Sequence, residues 1–98
     1  MLYHSFEDYI DNHIIWTRFK CLDDLRKIID NNLENTMGCK GLKVKDLCWK
    51  SEYDNDFQDW EVMVCVGTDE EDLYDVTLYV AMTRIEEFVV IESTFDEF

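Results

Sequence analysis

The sequence predicts an α+β fold of order ααββββ, two N-terminal helices followed by a four-stranded antiparallel meander. Three observations carry that expectation. Apolar residues recur at spacings of three and four through Met37, then at a spacing of two from Gly41 onward. The links between the alternating segments are too short for crossovers, so successive strands run antiparallel. The 98 residues include three glycines and no proline, which suits a single domain, helical over 1–40 and sheet over 41–98.

Each element has its own signal. Ser5 and Asp8 form a loose capping box, and Phe6, Tyr9, Ile10, His13 and Ile14 follow at helical spacing, placing the first helix over 6–14. Residues 15–20 fit either a continuation of that helix or a short strand. Leu22, Leu25, Ile28, Ile29 and Leu33 form one stripe, with Asp23 and Asp24 at the positive end of the second helix. Met37 is expected to close this helix and Gly38 to supply a left-handed cap. Leu42, Val44 and Leu47 to Trp49 mark the first strand. Trp60, Val62, Val64 and Val66 mark the second, with Trp60 facing the core, and Val76, Leu78, Val80 and Met82 the third. The fourth lies within 85–92, around the apolar run Phe88-Val89-Val90-Ile91.

The residues that alternate with the valines are Met63, Cys65, Thr77, Tyr79 and Ala81. They are too apolar for a freely solvated face. We expect the first helix to cover them, with a second copy of the chain, in a homodimer, as the alternative.

Composition removes several classes of function. Hydrophobic residues make up 47% of the chain, so this is a folding sequence and not a disordered acidic tail. No run of about 18 apolar residues predicts a membrane span, and the N-terminus has no signal-peptide pattern, so a cytoplasmic protein is expected. Cys21, Cys39, Cys48 and Cys65 contain no C-x-x-C pair, which argues for reduced thiols and against zinc. The histidines are His4 and His13, and Gly38, Gly41 and Gly67 build no phosphate loop. Asp54-x-Asp56 begins like a calcium loop, but Asp59 occupies the glycine position and Cys65 the place of the final glutamate. The expectation is a protein without catalysis, metal or cofactor; a weak divalent site within Asp69 to Asp72 is the competing reading.

What remains is charge. Asp and Glu number 23 against 9 Lys and Arg, for a net charge of −14 and a pI near 4.2, which speaks against direct binding of nucleic acid. Residues 1–50 hold eight acids and eight bases; residues 51–98 hold fifteen acids and one base, Arg84. Glu52, Asp54, Asp56 and Asp59 precede the second strand, interleaved with Tyr53 and Phe57 as aromatic anchors. Asp69, Glu70, Glu71 and Asp72 fill most of the next connection, with Asp75 just after it. Glu86 and Glu87 open the fourth strand and are expected to approach that cluster, with Asp96 and Glu97 in a frayed tail. Like charges at close range cost of order 1 kcal/mol per pair in water, so an electropositive partner is the reading that accounts for keeping them.

A small, proline-free, acidic α+β domain with carboxylates from Glu52 to Glu87 resembles the phage- and mobile-element-encoded inhibitors, the anti-CRISPR and anti-restriction proteins that imitate nucleic acid. The resemblance lies in general character and not in a sequence motif. It implies a non-catalytic inhibitor in a bacterial cytoplasm, occupying the basic groove of a nuclease such as a CRISPR effector. Two alternatives stand beside it: an immunity protein or antitoxin against a basic toxin nuclease, and a homo-oligomeric structural or regulatory subunit.

Overall fold

The computed structural model describes residues 5–50 and 60–98. Ser5 caps the first helix, its hydroxyl accepting from the Asp8 N–H at 3.1 Å. This helix, α1 (Phe6–Asp8), widens at once into a π-helical turn over Tyr9–His13, closed by the Ile14 N–H on the Tyr9 carbonyl at 2.9 Å. Phe6, Tyr9, Ile10 and Ile14 are all buried.

The expected meander is present, and a fifth strand extends it. β1 (Arg18–Phe19) falls within residues 15–20, where the sequence left helix and strand open, and it pairs antiparallel with the last strand. Then come α2 (Leu22–Glu34), β2 (Lys43–Trp49), β3 (Trp60–Gly67), β4 (Asp72–Met82) and β5 (Phe88–Glu97). The sheet order is β1-β5-β4-β3-β2, with every neighbouring pair antiparallel. Four antiparallel steps leave β1 and β2 pointing the same way, so their connection must cross the sheet. The 13 residues of α2 span about 20 Å, matching the roughly 19 Å across four strand gaps.

Three boundaries differ from expectation. α2 stops at Glu34 because side chains take its last carbonyls: Thr36 Oγ1 donates to Asn32 at 2.7 Å and Asn35 to Asn31 at 3.0 Å. Gly38 is therefore not the left-handed cap; among the described glycines the left-handed one is Gly41, at φ 86°. β5 runs on to Glu97, so Asp96 and Glu97 are paired strand residues opposite Asp75 and Tyr74 and not a frayed tail.

One core joins these elements. Val62, Val64 and Val66 of β3 and Val76, Leu78 and Val80 of β4 face Leu25, Ile29 and Leu33 of α2 together with Phe6, Tyr9, Ile10 and Ile14. Tyr9 also accepts a hydrogen bond from Asn32 at 3.1 Å, tying the two helical segments together. Both segments lie on the valine face. The expectation that the first helix covers Met63, Cys65 and Tyr79 is thus corrected: no described element lies over that face, and Met63 is 43% exposed. Trp60 does share the face of Val62, but at the sheet's end; it packs on Trp49 and Phe88, with ring centroids 5.7 Å away in each case, and stays 41% exposed. No described helix is long and apolar enough to cross a membrane.

Candidate docking surface

The charge separation along the chain is not preserved in space. Bases from the first half reach across to acids of the second. Lys43 pairs with Asp69, Lys45 lies 3.8 Å from Asp72, Lys50 3.6 Å from Glu61 and Arg18 3.6 Å from Glu87. The Lys43 ammonium, by hydrogen bond and by charge, holds the Asp69 carboxyl below its ordinary range. The Asp69 to Asp72 cluster, whose last residue opens β4, is consequently half neutralised, leaving Glu70 and Glu71 exposed at the turn.

Glu86 and Glu87 do not join that cluster. They follow the far end of β4, an 11-residue strand about 33 Å long. This corrects the expected approach of the two groups. Glu52, Tyr53, Asp54, Asp56, Phe57 and Asp59 lie outside the described residues.

The register gathers a different set of carboxylates on the outer face of the sheet. Asp46 pairs with Cys65, Cys65 with Asp75 and Asp75 with Asp96, so three carboxylates and one thiol form a row across β2, β3, β4 and β5. The thiol reports the crowding. Partial burial first, and then the charges of Asp72, Asp75 and Asp46, push the Cys65 pKa up. The next row is Cys48, Met63, Thr77 and Thr94; beyond it Glu61, Tyr79 and Glu92 stand side by side. The two acidic rows are four residues apart along β4, about 13 Å. Among the described residues no lysine or arginine pairs with Asp75, Glu92 or Asp96.

Of the residues expected from sequence, Asp75 alone sits centrally in this surface, with Asp72 at its margin. Asp46, Glu92 and Asp96 were missed. Their signal is register: Asp46 and Glu92 are isolated in sequence and Asp96 has only Glu97 beside it, and they are set in rows with other carboxylates through strand pairing. A shallow groove of about 360 Å³ lies between β1 and α2, where Arg18, Lys20 and Lys27 are mixed with Asp24 and Glu87.

Comparison with known proteins finds no matching family model, no similar curated protein and no similar solved structure.

Proposed function

We propose that the protein is a non-catalytic inhibitor whose acidic sheet face occupies the basic nucleic-acid groove of a host nuclease, foremost a CRISPR effector. The observation that carries this reading is the row of Asp46, Asp75 and Asp96, with Glu92 in a second row, on a face that no described element covers; Glu61, in that second row, is answered by Lys50. Retained self-repulsion on an open face is what a surface built for a cationic partner requires. The rows stand about 13 Å apart, close to the roughly 12 Å width of a duplex major groove. Met63 and Tyr79 lie between and beside the charges, where partly apolar side chains add contact area.

An immunity protein against a basic toxin nuclease would use the same surface, and the target's identity distinguishes the two. A homo-oligomeric subunit assembled through this face would set each row of acids against its own copy, which the charge disfavours.

The test is a pull-down from a lysate containing nucleases and CRISPR effectors, at low and high salt, with the parent chain and with Asp46, Asp75 and Asp96 changed to Asn. Capture of a nucleic-acid-binding nuclease that fades with salt and with the triple change supports the proposal. Capture that is insensitive to both refutes it.

A further inference from the structure

We propose that the free edge of β5, from Ser93 to Glu97, is a strand-addition site for an extended, cationic segment of the partner protein, with Trp16 closing one end. The inference rests on the reading of the sheet as a surface for a cationic protein and specifies how that protein engages it.

The phase of the hydrogen-bond ladder identifies the open groups. Phe98 donates to the Leu73 carbonyl at 3.0 Å, and hydrogen-bonded pairs alternate in an antiparallel ladder. Asp96, Thr94 and Glu92 therefore turn their backbone groups toward β4, while Glu97, Phe95 and Ser93 turn theirs away from the sheet. β1 is too short to meet them. Trp16 donates to the Val90 carbonyl at 2.7 Å and Val90 donates to Thr17 at 2.9 Å, and the strand pairing covers only Phe88 and Val89. No described strand lies beyond Ser93.

The opposite edge of the sheet is guarded. On β2 the Asp30 carboxylate accepts from the Val44 N–H at 2.8 Å and the Asp46 carboxylate from the Leu47 N–H at 3.0 Å, beside a bulge between Val44 and Asp46. These devices block strand pairing. On the stretch from Ser93 to Glu97 no described residue does the same.

Charge selects the occupant. Among the described residues no base pairs with Glu92, Asp96 or Glu97 on this strand, so a second copy would oppose three carboxylates with the same three. A strand laid along the edge places alternate side chains beside Glu92, Thr94 and Asp96 on the outer face, and the others beside Ser93 and Phe95. Lys or Arg alternating with small apolar residues fits that pattern. Trp16 stands where β1 gives way to the free stretch; it is 70% exposed and held at φ 73°, a backbone region costly for a bulky residue. Its ring offers a face to the end cation.

The probe is a seven-residue peptide alternating Lys and Val, compared with the same peptide N-methylated on alternate amides, which keeps the charge and removes the donors. The expected result is binding at low salt that N-methylation weakens by roughly tenfold or more, with amide exchange slowed at Ser93, Phe95 and Glu97. Glu97→Pro removes one outward donor without touching the ladder to β4 and should lose several-fold in affinity, whereas Glu97→Gln loses less. Trp16→Ala should weaken binding roughly two- to fivefold. Equal binding of both peptides with unchanged exchange overturns the strand-addition site and leaves the acidic-surface reading standing; binding of neither peptide at low salt overturns both.

Discussion

Replacing Asp75 by Asn should stabilise the protein while weakening its hold on a cationic partner. Asp75 and Asp96 oppose each other in a hydrogen-bonded register, and Asp46 lies two strands away in the same row. Carboxylates at about 6 Å repel by about 0.7 kcal/mol in water, and a third at about 10 Å adds about 0.4 kcal/mol. Direct like-charge pairs on sheets cost about 0.2–1 kcal/mol. Asp75→Asn should therefore gain about 0.5–1 kcal/mol at low salt, raising the melting midpoint by roughly 3–6 °C for a domain of this size. Asp75→Lys, which turns repulsion into attraction, should gain about twice that. Thermal and urea unfolding at low ionic strength and near roughly 1 M salt, where the screening length falls to about 3 Å, provide the assay. A neutral or destabilising Asp75→Asn at low salt, or a gain that survives high salt, would refute the argument from self-repulsion.

Other predictions concern the scaffold. Leu78 is fully buried in β4, and Leu78→Ala should cost about 3–5 kcal/mol in urea unfolding. At Gly67 a Cβ would stand 2.2 Å from the Glu71 carbonyl oxygen and 2.8 Å from the Asp72 Cα; both are backbone atoms, so Gly67→Ala should cost about 2–4 kcal/mol by the same measurement. Burial pushes the Cys39 thiol up from 9.0 to about 11. The unfolded chain loses that proton first, so stability is intact below pH 9.0 and falls as pH rises toward about 11. Comparing urea midpoints of the parent and Cys39→Ala across that window should show the steeper decline in the parent.

The alternating valines and the helical leucines were legible in sequence because burial on one face imposes a period that local composition reveals. β1 was not, since two residues, Arg18 and Phe19, are too few to carry a period and become a strand only against Val89 and Phe88. The C-terminal half of β5 was hidden by its acids. Asp96 and Glu97 read as tail, yet Phe95 beside them packs its ring 5.5 Å from Phe6. The register shift between Tyr79 and Val80 changes which β5 residues face inward, from Val90 to Ser93 and Phe95, and this broke the expected alternation. The acidic excess was legible in the sequence, but its focus in space was not. Runs such as Asp69 to Asp72 stand out in sequence, while the lysines that answer them are brought near only by β2–β3 pairing.

The pairing of β1 with β5 bears on the order in which the protein is built during synthesis. Arg18 must find Val89, and the Ser93 hydroxyl must reach the Ile10 carbonyl at 2.9 Å, a contact between residues 83 positions apart. Contacts of that span carry a large loop-closure cost and form late. The hairpins from β2 to β5 can assemble as they leave the ribosome, but the N-terminal helical segment waits for the last strand. A ribosome-stalled chain ending before β5 should keep Phe6, Tyr9 and Ile14 accessible to protease, and one extended past Glu97 should protect them.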